Sequence, residues 1–387
     1  MRRMSVKQTA RIISTYAGDT SGVASALFEL GGMTVMHDAS GCNSTYNTHD
    51  EIRWYDQDSL IFITGLTDQD AILGDDERLI HDIEKACGEF HPNFVALVNS
   101  PIPYLNATDF DAISSIIEEN TGVPVFYVPT NGCHDYVYGA GGAFRKLAEC
   151  VVDRTQKPDG SGRVNLLGCT PLDFPAEGEV DSLKDRIRDG GFSIGSCWAM
   201  GDGLDSLKAA GRGDVNLVVS AVGLSTAKWL YERFGTPYVA GLPLPGFEND
   251  IYSALRRAME TGEHQIPYLD RASGGTEEFV FIGDPVCMGT MAAMKSRQGI
   301  RARVICPVEA GSELIGEQDA MTRGEEDVER EIAHASEIVA DPLYRHICPP
   351  DVHFTPEIHF AFSGRMFRRQ LVDRFQKKNE ENEDGTQ

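Results

Sequence analysis

The chain has few basic residues for its length. In 387 residues, 35 Lys and Arg stand against 59 Asp and Glu, which gives a formal net charge of −24 at pH 7. Nonspecific binding to DNA or RNA depends on a Lys/Arg surface that displaces phosphate counterions, and attraction to anionic lipid needs the same positive charge. The composition therefore predicts neither nucleic acid nor a membrane surface as a partner.

Long hydrophobic runs are also missing. No apolar segment approaches the roughly 20 residues that a membrane-spanning helix needs. The first residues, MRRMSVKQ, contain no apolar signal core. Hydrophobic residues still make up 41% of the chain, too many for a disordered protein. We therefore expect a globular protein of the cytoplasm.

Several cofactor motifs are lacking as well. The nine cysteines are irregularly spaced and include no Cys-x-x-Cys pair, which argues against a disulfide framework and a zinc ribbon. No Gly-Lys dipeptide occurs, so there is no Walker A loop, and we expect no nucleotide bound by this chain. The glycine-rich segment Gly139–Phe144 lacks the full GxGxxG spacing and favours close helix packing over dinucleotide binding.

Short apolar, β-branched runs alternate with amphipathic stretches along nearly the whole chain. The predicted strands are Met33–His37, Leu60–Thr64, Phe94–Val98, Val123–Val128, Val164–Leu167, Leu217–Val219, Phe279–Ile282 and Arg303–Cys306. Helical spacing marks 70–90, 109–120 and 225–234. This alternation predicts an α/β fold of doubly wound parallel sheets, with helices on both faces.

Two breaks in composition divide the pattern into three units. The segment 157–162, KPDGSG, is typical of a linker, and so is 272–276, ASGGT. We predict an N-terminal α/β domain at 1–158, a middle domain at 159–275 and a C-terminal domain at 276–387. The last of these carries an acidic run at 316–341, interpreted as a solvated helix face, and a polar tail.

One cysteine stands where open α/β sheets bind ligands. Cys42 follows a glycine shortly after the first predicted strand, at its carboxyl end. A thiol in such a turn can be partly exposed and deprotonated, as a metal ligand must be. The alternative is a buried thiol in an ordinary turn.

The segment HDASGC, His37–Cys42, resembles the first cluster-ligand turn of the nitrogenase component 1 family. That family includes the nitrogenase molybdenum–iron protein subunits, the dark-operative protochlorophyllide reductase and the nickel-sirohydrochlorin reductase. Further landmarks similar to the family's follow in order at 66–74, 91–98, 228–238, 281–285 and 359–365. The resemblance implies three Rossmann-like domains of the nitrogenase component 1 type.

The resemblance also implies an activity. The chain would be an oxidoreductase subunit that takes low-potential electrons from a separate ATP-dependent iron–sulfur reductase. An iron–sulfur cluster of the [4Fe–4S] type would lie at a subunit interface, with Cys42 as this chain's metal ligand. The substrate would be a small unsaturated compound, a thioether or a tetrapyrrole.

The sequence departs from the family pattern at the other cluster ligands. Nitrogenase subunits supply three cysteines each, but the second position falls near 61–62 and the third near Pro101, and neither holds a cysteine. An ordinary [4Fe–4S] cluster has four ligands. Either a homologous second subunit would supply the other three, or a homodimer would bring two copies of Cys42 together with other ligands. The cofactor-anchoring cysteine would fall near 219–220 and is absent, which argues against dinitrogen reduction.

Five further residues are candidates for the site. His359 matches the family's cavity histidine and is the leading candidate for a proton donor or a contact to a bound metal; a structural histidine in a buried network is the alternative. His134 is a second candidate for proton transfer, provided that it faces the same cavity. Ser363 and Arg365 are candidates for the substrate pocket, and His37 for tuning the cluster by hydrogen bonding.

A rival interpretation belongs to a different class of protein. The same fold could hold a metal cofactor or its precursor during assembly and pass it on without turnover. The small number of matching cysteines favours such a non-catalytic scaffold, because one chain does not contain a complete electron path.

Overall fold

A computed structural model describes residues 10–39, 51–74, 76–272, 274 and 278–376. The strands are β1 Met33–His37, β2 Leu60–Ile63, β3 Val95–Asn99, β4 Val125–Val128, β5 Arg163–Leu167, β6 Ser193–Trp198, β7 Val215–Val218, β8 Tyr238–Ala240, β9 Glu278–Ile282, β10 Arg301–Cys306, β11 Ala320–Met321, β12 Glu337–Ala340 and β13 His353–Pro356. They form three sheets, with strand orders β2-β1-β3-β4, β6-β5-β7-β8 and β11-β10-β9-β12-β13.

Helices connect the strands in every sheet. They are α1 Asp19–Leu27, α2 Asp68–Leu73, α3 Asp76–Phe90, α4 Pro101–Leu105, α5 Phe110–Thr121, α6 Tyr136–Val151, α7 Glu179–Asp189, α8 Leu204–Lys208, α9 Leu224–Phe234, α10 Glu248–Thr261, α11 Pro285–Ser296, α12 Glu325–Ile332 and α13 Phe360–Ser363. All the strand pairings within the sheets are parallel. The predicted α/β class with three doubly wound parallel sheets is confirmed.

The three sheets share one topology. In each, the first strand along the chain lies inside the sheet and its successors add on both sides of it. The strand order therefore reverses beside β1, β5 and β9, and ligands of open α/β sheets bind at the carboxyl ends of the strands at such points. The sheets lie within 33–128, 163–240 and 278–356, while the exact domain boundaries stay a prediction.

Several elements differ from the sequence prediction. The predicted helix 70–90 is two helices, because Gly74 adopts a left-handed conformation (φ 68°) that ends α2. The acidic run 316–341 is not one helix face, since only α12 is helical and β12 lies within the same run. Strands β6, β8, β11, β12 and β13 were missed, because each is short or is interrupted by polar residues, as in SIGSCW and HFTP.

Close helix packing explains the glycine-rich start of α6. A Cβ atom on Gly139 would lie 1.9 Å from the Asp19 carbonyl oxygen, and one on Gly22 would lie 2.4 Å from the Tyr136 carbonyl. Helices α1 and α6 therefore touch backbone to backbone. One hydrophobic core continues from this contact through all three units, from Phe144 on α6 to Trp198 on β6 and Ile282 on β9. Within the described ranges, no helix combines the length and apolar character of a membrane span.

Candidate functional site

Polar side chains from all three units meet in a buried cluster around His359. His359 precedes α13 and is only 3% exposed. Its Nε2 atom lies 3.4 Å from Asp173 Oδ1, and its ring stacks on Phe362 with centroids 4.3 Å apart. The ring of Tyr136, the first residue of α6, lies 6.0 Å away. The N-terminal, middle and third units thus each contribute to the surroundings of one imidazole.

Asp173 is held by several donors within this cluster. The Tyr136 hydroxyl donates to Asp173 Oδ1 at 2.7 Å, and the Thr170 hydroxyl donates to Oδ2 at 2.8 Å. The Arg374 guanidinium donates to the Asp173 backbone carbonyl. Both oxygens of the buried carboxylate are therefore bound by hydroxyl donors, and the backbone carbonyl is bound by a cation.

A second acid fixes the backbone that carries His359. Asp341 follows β12, and its Oδ2 atom accepts hydrogen bonds from the His359 amide at 2.9 Å and from the Ser363 hydroxyl at 2.8 Å. Ser363, a predicted substrate-pocket residue, is therefore 6% exposed and bonded to Asp341. In this structure it orients α13.

A third acid follows β9 and lies near the same centre. Asp284 accepts hydrogen bonds from the amides of Val286 and Ala221. Burial, together with the nearby Asp173 carboxylate, raises the pKa of Asp284 to about 6, whereas His359 acts in the opposite direction. The charge of Asp284 therefore depends on the charges of Asp173 and His359.

The described contacts of His359 leave one ring nitrogen without a partner. Among the residues that the structure describes, Nδ1 is buried and has no hydrogen-bond partner. Buried polar atoms are rarely left in this state, and each such atom needs an explanation. A ligand or an ordered water at Nδ1 would satisfy it.

His134 and Arg365 lie in different surroundings from His359. The His134 Nδ1 atom lies 3.0 Å from the Glu309 carboxylate, and its ring stacks on Tyr138. The neighbouring Asp135 caps α6 and accepts a hydrogen bond from the Glu309 amide. Arg365 lines a cavity of about 440 Å³ formed by residues 365–370. No described contact brings either side chain to the His359 imidazole.

His37 stands at the carboxyl end of β1, beside the predicted cluster turn. Its Nδ1 atom lies 2.9 Å from Thr64 Oγ1 at the end of the neighbouring strand. Burial lowers the pKa of His37 to about 4, although Asp70 acts in the opposite direction. The imidazole is therefore neutral at pH 7. Two adjoining cavities of about 150 and 430 Å³ share His37, Leu66 and Asp70 as lining residues.

Cys42, the predicted metal ligand, lies outside the described residues. The positions that match the family's other two ligand cysteines are described: Ile61 and Phe62 lie in β2, and Pro101 begins α4. None of these side chains can bind iron. Within the described part of the chain, no group of three or more Cys, His, Asp or Glu residues is arranged for a metal. Among the described residues, the positions of the family's second and third ligands therefore supply no donor for a cluster.

Apolar side chains are exposed beside the same edge of the first sheet. On α2 and α4 these are Ile72, Leu73, Ile102, Tyr104 and Leu105. The Asn106 side chain donates to the Ala71 carbonyl at 2.8 Å and so connects the two helices. An exposed apolar patch of this kind is typical of a protein–protein contact surface.

Sequence reasoning missed Asp173, Asp284, Asp341 and Tyr136. The available signal was position, since Asp284 and Asp341 each follow a strand within two residues. The segment Gly191–Gly195, GFSIG, matches the GxSxG pattern of a serine nucleophile elbow, but it does not form one. Ser193 begins β6 there and its hydroxyl donates to the Gly162 carbonyl, whereas a nucleophile elbow requires a strand-to-helix turn.

Comparison with known proteins places this fold in a family. The family model described as nitrogenase component 1 type oxidoreductase matches residues 20–261. The nitrogenase iron–molybdenum cofactor biosynthesis protein NifE of Clostridium pasteurianum is 26% identical over 208 residues, which cover 53% of this chain and 44% of that protein. One subunit of the light-independent protochlorophyllide reductase of Nostoc punctiforme is 34% identical over 101 residues, covering 26% of this chain and 19% of that subunit.

A solved structure agrees in fold. Nitrogenase Cp1 at pH 6.5 superposes with a TM-score of 0.66 at 14% sequence identity, over 92% of this chain and 88% of that chain. The chain spans less than half the length of the two curated relatives. Since the family model covers more than half of the sequence, the predicted resemblance is confirmed: this chain belongs to the nitrogenase component 1 family.

Proposed function

We propose that this chain is a cytoplasmic subunit of a nitrogenase-like oxidoreductase. It would take low-potential electrons from a separate ATP-dependent iron–sulfur reductase and reduce a small unsaturated, thioether or tetrapyrrole substrate. The observation that carries this proposal is the buried His359 imidazole at the junction of three units, with Nδ1 unpartnered among the described residues. A buried imidazole of this kind can hold and deliver a proton to a bound substrate.

The proposed cofactor is a [4Fe–4S] cluster at a subunit interface. Cys42 would hold it from this chain, and the bound cluster would supply one-electron transfer. A homologous second subunit or a second copy of this chain would provide the other ligands. The exposed apolar side chains of α2 and α4 support a partner at this edge, and the neutral His37 can contribute a hydrogen bond without adding positive charge.

The missing Walker A motif agrees with this proposal, because the nucleotide would be bound by the reductase and not by this chain.

The proposal is tested by incubating the anaerobically purified complex with the co-encoded reductase, dithionite and MgATP. Substrate-dependent oxidation of dithionite is expected, and it should be lost in His359→Gln while iron content stays the same. If candidate substrates do not change the rate of dithionite oxidation, the proposed reductase activity is contradicted.

A scaffold for metal-cofactor assembly is the second candidate function. The similarity to the cofactor biosynthesis protein NifE favours it, and so does the absence of ligands at positions 61–62 and 101. A scaffold predicts tight binding of a cofactor or its precursor and no ATP-dependent consumption of dithionite. The same assay therefore separates the two functions.

A further inference from the structure

The contacts of Asp173 are arranged to hold the His359 ring in one orientation. Asp173 is 3% exposed, and its Oδ1 atom faces His359 Nε2 at 3.4 Å. The Thr170 hydroxyl donates to the other oxygen, and Arg374 fixes the backbone carbonyl. Both carboxylate oxygens and the backbone carbonyl of Asp173 therefore have hydrogen-bond donors within the protein.

His359 has further partners besides Asp173. Phe362 stacks on the ring face, and Asp341 binds the His359 amide rather than the ring. Among the residues that the structure describes, Asp173 is the carboxylate within ion-pair distance of the imidazole. A carboxylate beside one ring nitrogen accepts a hydrogen bond from it and so determines which nitrogen keeps the proton. Such contacts are often long in structures without ligand and shorten when a ligand binds.

We propose that Asp173 is the positioning residue for His359, which it fixes as the Nε2–H tautomer. Nδ1 is then the nitrogen offered to a bound ligand. This inference rests on the proposed role of His359 as a proton donor and assigns the atoms of that role. A substrate carbon or nitrogen that has gained electron density takes the proton from Nδ1 of the imidazolium.

The proton balance follows from the same contacts. The protonated imidazole carries a proton on each nitrogen, and the Asp173 carboxylate compensates its charge. Transfer breaks the Nδ1–H bond and forms a bond from hydrogen to the substrate, while the Nε2 proton stays beside Asp173. The electron pair of the broken bond remains on Nδ1, so His359 returns to the neutral Nε2–H tautomer and no proton passes to Asp173.

The test uses the full chain labelled with ¹⁵N-histidine. Long-range ¹H–¹⁵N spectra report which ring nitrogen is protonated, and His359→Gln identifies the signal. In the wild type, Nε2 should appear protonated and Nδ1 unprotonated once His359 is neutral. In Asp173→Asn, the preference for Nε2–H should fall about tenfold or more, because a charge-assisted hydrogen bond is lost.

Asp341→Asn is the matched control, because Asp341 is equally buried and binds His359 only through the backbone amide. It should keep the wild-type tautomer. If Asp173→Asn does not fold, Tyr136→Phe provides a second measurement. This variant removes the hydroxyl that also donates to Asp173 Oδ1. The preference of His359 for the Nε2–H tautomer should then stay the same or increase. The Nδ1–H tautomer in the wild type overturns the inference, and so does an unchanged ratio in folded Asp173→Asn.

These spectra require neither a cluster nor turnover. A chain without iron or reductase activity that still shows the Asp173-dependent tautomer would contradict the proposed function alone. An active complex with the Nδ1–H tautomer would contradict only the role of Asp173.

Discussion

The Arg374 guanidinium lies against the Glu179 carboxylate, with Nε 2.6 Å from Oε1 and both side chains almost fully buried. Arg374 also donates to Cys287 Sγ at 3.0 Å. Since Glu179 begins α7 and Cys287 lies on α11, one side chain near the end of the described chain joins the middle and third units beside Asp173.

Replacing Arg374 should destabilise the protein strongly. Arg374→Ala leaves the Glu179 carboxylate buried without its cation, which costs about 3–5 kcal/mol in comparable ion pairs. The free energy of unfolding from urea denaturation measures the effect. Arg368→Ala is the control, because Arg368 is exposed and should change stability by no more than about 0.5 kcal/mol. Equal stability of the two variants would show that the ion pair does not hold the units together.

The glycines of α6 give a matched pair of substitutions. Gly139→Ala places a methyl group 1.9 Å from the Asp19 carbonyl oxygen, whereas a Cβ atom on Gly142 meets Val128 Cγ1 at an ordinary 3.5 Å. We expect Gly139→Ala to lower the melting temperature by several degrees, since α1 must move away from α6. Gly142→Ala should be neutral or stabilise by up to about 1 kcal/mol, because alanine favours helix. The opposite order would refute backbone contact between these helices.

The pH dependence of stability should contain a contribution from His37. Its pKa is about 4 in the folded chain against 6.5 for the free side chain, so the unfolded state binds more protons between these values. The contribution of neutral His37 to the free energy of unfolding is complete above pH 6.5. It is lost as the pH falls toward 4, and the loss is on the order of 3 kcal/mol at most.

His37→Gln keeps a hydrogen-bonding group for Thr64 but does not titrate, so it should lose less stability than the wild type on acidification from pH 7 to pH 4. Melting temperatures across this range provide the comparison. The pKa of Asp284 is raised to about 6, so its contribution to stability changes with pH in the opposite direction. That contribution is the same in the wild type and in His37→Gln. His81→Gln on the exposed side of α3 should follow the wild type. Parallel curves for His37→Gln and the wild type would contradict a buried neutral His37.

The sequence predicts the sheets better than the site. The eight strands predicted from apolar runs are present, because burial on both faces requires such runs in parallel sheets. Strand β6 escapes this rule, since Ser193, Gly195 and Ser196 interrupt it. Within the site, His359 was identified through the family resemblance, but its contact with Asp173 depends on how two separate units pack. No local pattern encodes such a contact.

Iron content directly tests whether Cys42 is a ligand of the proposed cluster. The chain is purified anaerobically with its co-encoded partner as wild type, Cys42→Ala and Cys133→Ala, the last replacing an exposed cysteine outside the proposed turn. Iron is assayed together with the EPR spectrum after dithionite reduction. A ligand role of Cys42 requires a cluster signal and equal iron in wild type and Cys133→Ala, with both lost in Cys42→Ala. Equal iron and identical spectra in all three proteins would contradict it.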